Sequence, residues 1–243
     1  MTALSVNINK LALLRNSRGR NFPDLEAFSQ RFLGLGVHGI TVHPRPDERH
    51  VRFADLPVLA QVVQGFPGTE FNVEGYPSSA FLQSVMDVKP HQCTLVPDAT
   101  DQLTSDHGWD LHRDGEWLKD IVAGLQEAGV RVSLFLDPNP ALVPLAAATG
   151  AARIELYTEH YAATFGTPQQ LEVFNRYRDT ALAAQAVGLG VNAGHDLDLT
   201  NLGTFLTIPG ILEVSIGHAL TIECIEQGMK SVLARYLSCC RGH

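Results

Sequence analysis

Four stretches of this chain repeat one junction. LGLGVHGITVH, LQEAGVRVSLFL, AAATGAARIEL and AVGLGVNAG each read as a helix end, a glycine and then a β-run. Glycine just past a helix end takes up the left-handed cap conformation with little penalty. A recurring helix–glycine–strand joint is what a chain of stacked βα units requires. Eight short apolar runs fit the strand role, at residues 4–8, 39–43, 70–74, 92–96, 130–136, 153–156, 190–193 and 212–216. Their shortness, their Val and Ile content and their flanking turn residues suit strands buried on both faces of a parallel sheet. Helical spacing predicts helices over 23–33 (Leu25, Phe28, Phe32), 114–128 (Trp117, Ile121, Val122 and Leu125 on one face), 169–187 and 218–237. No linker, low-complexity tract or charge block breaks the series. The expected fold is therefore α/β, a closed (β/α)8 TIM barrel forming a single domain over residues 1–243.

Composition narrows the function. Apolar residues make up 45% of the chain and charged residues 18%, enough for a large core and too little charge for disorder. A net charge of -8 supplies no global basic field for nucleic acid or for an anionic membrane surface. Cys93, Cys224, Cys239 and Cys240 form no C-x-x-C, and two are adjacent, so four free thiols in a reducing compartment are expected. No stretch reaches the length of a membrane span and no secretory pattern opens the chain; a soluble, cytoplasmic protein is expected. Gly34, Gly36 and Gly39 spell G-x-G-x-x-G, but they close a helix and enter a strand. A dinucleotide fingerprint does the reverse, so these are helix-cap glycines.

In a (β/α)8 barrel the chemistry sits at the C-terminal ends of the strands. The first predicted strand ends at Asn7, Asn9 and Lys10, followed by a basic stretch with Arg15, Arg18 and Arg20. The second ends at His43, with Arg45, Arg49 and His50 behind it, and the third ends at Glu74. A polar loop with Thr104 follows the fourth, and Glu155 lies in the sixth. The seventh ends at Asn192, Gly194, His195 and Asp196, the eighth at Gly217 and His218. Singly, each has a bland explanation: Asn7 satisfying a backbone group, His43 a hydrogen-bonded core histidine, Glu74 and Glu155 paired with barrel arginines, Arg15 and Arg20 solvated. Their joint placement at one rim is what points to a site.

Two features point to phosphate. In SIGHAL, Gly217 and His218 form the turn into the last helix, where backbone N–H groups and the positive helix end hold an anion. AGHDL on the preceding strand would form the other wall. Arg18 and Arg45, on different loops, suit two phosphorylated substrates. His43, Glu74 and His195 supply acid–base capacity near neutrality. With no H-x-H pair at a strand end and no H-E-x-x-H, the chemistry is read as free of metal.

VNINKLALLRNSRG, GITVHPRPDERH, FNVEG, KPHQCTLVPD, IELYT, VNAGHDL and SIGHAL, in that order, resemble the pyridoxine 5′-phosphate synthase family from about residue 4 to about 237. The resemblance implies a (β/α)8 barrel with extra helices, assembled as a homo-octamer built from dimers. It implies condensation of 1-deoxy-D-xylulose 5-phosphate with 3-amino-2-oxopropyl phosphate to pyridoxine 5′-phosphate, phosphate and water, with no metal or organic cofactor. By the same resemblance His43, Glu74 and His195 are the acid–base residues, with Glu74 the main base. Arg45, His50 and Thr104 would contact the deoxyxylulose phosphate. Asn7, Arg18, Gly217 and His218 would hold the aminoketone phosphate, and Glu155 is a further site carboxylate. This chain departs from the family at Asn9-Lys10, where Asp-His is frequent, and at Asp196, where Gly is frequent; all three positions count as substrate-binding. Two rivals stay open: another phosphosugar barrel, such as an epimerase or a Schiff-base aldolase with Lys10 as its nearest lysine, and a non-catalytic paralogue that only binds a phospholigand.

Overall fold

A computed structural model describes residues 1–98 and 105–242. Its strands are β1 (Ala3–Asn7), β2 (Gly39–Val42), β3 (Glu70–Gly75), β4 (Gln92–Leu95), β5 (Arg131–Leu136), β6 (Arg153–Tyr157), β7 (Gly190–Gly194) and β8 (Ile211–Ile216). They pair in parallel in sequence order, and β8 returns to β1 with Leu4 opposite Val214, so the barrel is closed. Each predicted apolar run is one of these strands. The four junction glycines, Gly36, Gly129, Gly150 and Gly188, all sit at positive φ, between +81° and +92°. That is the left-handed cap the repeated junction requires.

The helices are α1 (Asn9–Asn16), α2 (Leu25–Gly34), α3 (Leu56–Gln64), α4 (Ser79–Val88), α5 (Leu111–Glu127), α6 (Val143–Ala148), α7 (Glu159–Thr164), α8 (Gln170–Ala186), α9 (Leu202–Phe205), α10 (His218–Gln227) and α11 (Met229–Arg241). Three sequence expectations are corrected. The last helix is two helices, because Gly228 adopts φ 85°, ψ 135°, a backbone region open essentially to glycine alone. Asn9 and Lys10 do not extend β1 but open α1. Trp117 does not join the buried face of α5: that face is Leu118, Val122 and Leu125, while Trp117 is exposed and packs on Tyr76 and Trp109.

Alternate strand residues face outward and form the main core under the helices; Leu4, Val6, Ile40, Val42, Phe71, Val73, Leu134 and Ile154 are all buried there. The residues between them make the lumen polar. Ser5 and Thr41 hydroxyls lie 2.6 Å apart, and Thr94 Oγ1 donates to Asn72 Oδ1 at 3.1 Å. Thr94 also reaches Glu155 at 3.4 Å, although β4 and β6 are not sheet neighbours, so this contact crosses the lumen. Nearer the N-terminal mouth, Gln92 bonds Glu213 and Asn192, Arg131 pairs with Glu70, and Arg153 reaches Asn192 and Glu213. Buried polar groups in such a lumen are tolerated because these find partners; the buried Ser133 hydroxyl on β5 has none among the described residues.

Candidate active site

At the C-terminal ends of the strands lies a cavity of about 520 Å³. It brings together Asn7, Asn9, Lys10, His43, Arg45, His50, Glu74, Glu155, His195, Asp196, Gly217 and His218, from β1, β2, β3, β6, β7 and β8 and the segments that follow them. Asn192, expected at this rim, instead joins the network nearer the N-terminal mouth, and two residues given substrate-binding roles are not among those of the cavity. Thr104 lies outside the described residues. Arg18 is exposed and lines a separate cleft of about 530 Å³ between α1, α2 and α3. Arg15, on the wall of that second cleft, is not solvated but 6% exposed; both its guanidinium ends bond Asp55 at 2.8 Å.

The turn from β1 into α1 is fixed by its own asparagines. Asn7 Oδ1 accepts the Asn9 N–H at 3.0 Å, and Asn9 Oδ1 accepts the His43 N–H at 3.0 Å. The amide at Asn9 thus anchors the exit of β2, a task that a carboxylate would also perform. Arg45 forms a buried ion pair with Asp98, which also accepts from the Ser105 hydroxyl at 2.7 Å. Gly217 precedes α10, whose first turn receives no side-chain cap, so its N–H groups open on the cavity. A side chain at Gly217 would press on Asn7, 3.0 Å away.

His195 and Asp196 follow β7 with φ of 82° and 56°, consecutive non-glycine residues in the left-handed region. Such strain costs about 1–3 kcal/mol per residue and persists only where the surroundings over-determine it. The imidazole is gripped edge-on by Tyr157 and Phe135, with ring centroids 5.2 and 5.3 Å away. Gly194 lies against Glu155: a Cβ there would stand 2.4 Å from Oε1.

Burial governs the charges of the site. It drives His43 well below the ordinary histidine range, helped by the Arg45 charge. Burial also lowers His195, against the pull of Asp196 and Asp98, and takes His50 down to about 4. The carboxyls move the other way. Glu74 is raised well above its usual range by burial and then by Glu155, and Glu155 reaches about 8 through burial and Glu213. Neither carboxyl has an ion-pair partner among the described residues. Near neutrality the cavity therefore holds neutral, proton-accepting imidazoles beside a Glu155 carboxyl that keeps its proton, where a free carboxyl would be ionised. Cations at Lys10, Arg45 and Arg49 complete the wall.

The Glu155 shift has a consequence for stability. A carboxyl whose folded pKa exceeds its unfolded value of 4.5 favours folding while protonated. That contribution is full below the unfolded value and is lost as pH rises through about 8. The Tm is therefore expected to fall between about pH 5 and about pH 8 more steeply for the wild type than for Glu155→Gln. Thermal melts across that range check this; parallel curves would contradict it.

Asp98, Ser105, Tyr157, Glu159 and Ser215 were not singled out from the sequence, yet Asp98 holds Arg45 and the rest line the cavity. Asp98, Tyr157 and Ser215 stand within KPHQCTLVPD, IELYT and SIGHAL; their signal was present and unassigned. Lys10 is exposed on the first turn of α1, and none of the eight strands carries a lysine into the lumen, which removes support from a Schiff-base aldolase.

Comparison with known proteins shows the family of this chain. The profile of a family described as pyridoxal phosphate biosynthesis protein PdxJ matches residues 4–242. The pyridoxine 5′-phosphate synthase of Agrobacterium fabrum is 49% identical over 242 residues, 98% of this chain and 96% of that protein. The one from Bacteroides thetaiotaomicron is 46% identical, covering 99% of this chain and 100% of its own. Among solved structures, 3-hexulose-6-phosphate synthase from Salmonella typhimurium superposes over 100% of both chains with a TM-score of 0.66 at 14% identity. N-(5'-phosphoribosyl)anthranilate isomerase from Pyrococcus furiosus gives 0.62 at 10% identity, also over 100% of both chains. At that identity the two structures share the fold and nothing further.

Proposed function

The chain belongs to the family of the pyridoxal phosphate biosynthesis protein PdxJ, and on that premise we propose that it acts as a pyridoxine 5′-phosphate synthase, as its relatives are named. The reaction condenses 1-deoxy-D-xylulose 5-phosphate with 3-amino-2-oxopropyl phosphate and yields pyridoxine 5′-phosphate, phosphate and water. The observation that carries the reading is the joining of His43, Glu74 and His195 with Arg45, Lys10 and the uncapped start of α10 in one cavity.

The substrate amine attacks a ketone, a Schiff base forms and one water leaves; phosphate elimination and ring closure, which expels a second water, then need repeated proton shifts. Glu74 is the main acid–base group: burial and the neighbouring Glu155 raise its pKa, which makes its ionised form a stronger base than a free carboxylate. His43 and His195, held neutral, accept and relay protons. Glu155 assists from behind Gly194. Asn7, Gly217 and His218 hold the aminoketone phosphate, with Asp196 beside them, while Arg45, His50, Lys10 and Asn9 contact the deoxyxylulose phosphate. Thr104 is assigned to that substrate by motif alone. Arg18 is kept as a phosphate ligand by motif only; in one copy of the chain it lines the other cleft.

Among the described residues no helix is long and apolar enough to cross a membrane. We place the enzyme in the cytoplasm as one barrel domain per chain, in a homo-octamer built from dimers. Support for assembly comes from the surface where α1 and α10 meet, which leaves Leu13, Leu14, Ile222 and Ile225 exposed.

Incubating the protein with both phosphorylated substrates in metal-free buffer is expected to yield equal amounts of pyridoxine 5′-phosphate and inorganic phosphate, read by product fluorescence and a phosphate assay. Folded protein that yields neither, yet is stabilised thermally by one substrate, would convert the reading to a phospholigand-binding paralogue.

A further inference from the structure

Thr158 leaves β6 just ahead of α7 and is fully buried. It lies outside the cavity wall, so it does not meet substrate. Its side chain nevertheless ends on the turn that carries His195. The Thr158 N–H donates to the Gly194 carbonyl at 2.9 Å. The Thr158 hydroxyl donates to the same carbonyl at 2.6 Å and shares its single proton with the His195 carbonyl. On the far side, Asn201 Nδ2 donates to the Asp196 carbonyl at 3.1 Å. The two left-handed residues, His195 and Asp196, are therefore pinned at three successive carbonyls. The turn needs such fixing, since neither residue prefers positive φ. Gly194, at the start of the clamp, also sets the gap into which Glu155 fits.

We propose that Thr158 is a positioning residue for the reaction: its hydroxyl locks the Gly194–His195 peptide so that the His195 imidazole faces the cavity. This rests on the reading of His195 as a proton-transfer group. The hydroxyl is suited to the task because it bridges two consecutive carbonyls of one strained turn, which a backbone N–H alone does not do. Tyr157 and Phe135 then fix the ring, while Thr158 fixes the backbone beneath it.

Thr158→Val keeps the shape and removes the donor; Thr158→Ser keeps the donor. Full-length Thr158→Val is expected to lose about 10- to 100-fold in kcat, with KM for both substrates changed by no more than about threefold. Thr158→Ser is expected within about twofold of the wild type, because the bridging donor is intact. A purely structural role would lower the folded fraction and leave the rate per folded molecule and the pH profile unchanged. In the positioning role the His195 titration, followed by imidazole NMR, moves up toward 6.5 in Thr158→Val as the ring gains solvent. Asp196, Asp98, Arg45, Lys10 and His43 also face that ring and are unaltered in each variant, so the shift reports the movement of the ring.

Should the valine variant fail to fold, Thr158→Cys is compared with Thr158→Ser, since the thiol is similar in size but a weaker donor; a kcat at least about fivefold lower for Cys is expected. Wild-type kcat in Thr158→Val, a serine variant as slow as the valine one, or equal Ser and Cys rates would each overturn the proposal. His195→Ala at full turnover would remove the reading beneath it and this inference with it. A dead His195→Ala beside an unimpaired Thr158→Val would overturn the inference alone.

Discussion

Replacing His195 by alanine is expected to lower turnover about 10²- to 10⁴-fold, the range for loss of a positioned general acid–base group. The imidazole is held neutral by burial, so it is ready to take a proton at neutral pH. Alanine, however, also sits poorly at φ 82°, so part of any loss could be a displaced turn. His195→Asn separates the two effects, because asparagine tolerates the left-handed region and keeps the backbone in place. Both variants losing product formation, with Tm close to the wild type in the asparagine form, assigns the loss to the imidazole. Turnover within about tenfold of the wild type in His195→Asn would sink the assignment.

The second large effect is expected at Glu74. Its carboxyl is buried, without an ion-pair partner among the described residues, and faces Glu155, so its pKa lies well above the usual carboxylate range. The base form appears as pH rises through that raised pKa; a reaction that needs the base must speed up with pH there. In Glu74→Gln, kcat is expected to fall about 10²- to 10⁴-fold with both substrates still bound, and the rising limb of the kcat/KM profile is expected to vanish. Stopped-flow single turnovers with a parallel binding titration measure both. A glutamine variant near wild-type rate, or one that keeps the same rising limb, would pass the base role to Glu155 or to an imidazole.

The barrel was legible because its signals are local. The junction glycines, Gly36, Gly129, Gly150 and Gly188, mark the returns from helix into β2, β5, β6 and β7, and all four adopt the conformation for which only glycine is well suited. The rim residues were legible because strand ends in this fold share one face, so polar groups at run ends had to converge. The polar lumen was not. Ser5, Thr41, Asn72 and Thr94 lie inside runs otherwise apolar; their role depends on partners on other strands, such as Glu155 for Thr94, that no local pattern reveals. Trp117 was misplaced for a related reason: helical spacing gives an apolar stripe but not which of its edges meets the barrel. Arg15 and Asp98 needed distant partners too, Asp55 and Arg45 respectively, before burial became affordable to either charge. The break at Gly228 was visible as a letter, but a single glycine inside a helical pattern is often tolerated, so spacing carried the reading past it.

The contact between Gly194 and Glu155 binds two positions into one heritable unit. A descendant that gains any side chain at 194 cannot keep the carboxylate at 155 in its present pose, because Oε1 occupies the space a Cβ would need. A side chain at 194 is therefore not open by itself, since it would move the carboxyl that faces Glu74 and the turn that carries His195, whereas a change at 155 leaves Gly194 sterically free. Drift at this pair is therefore ordered: position 155 has to change before position 194 can, and relatives that carry a side chain at 194 are expected to lack the glutamate at 155.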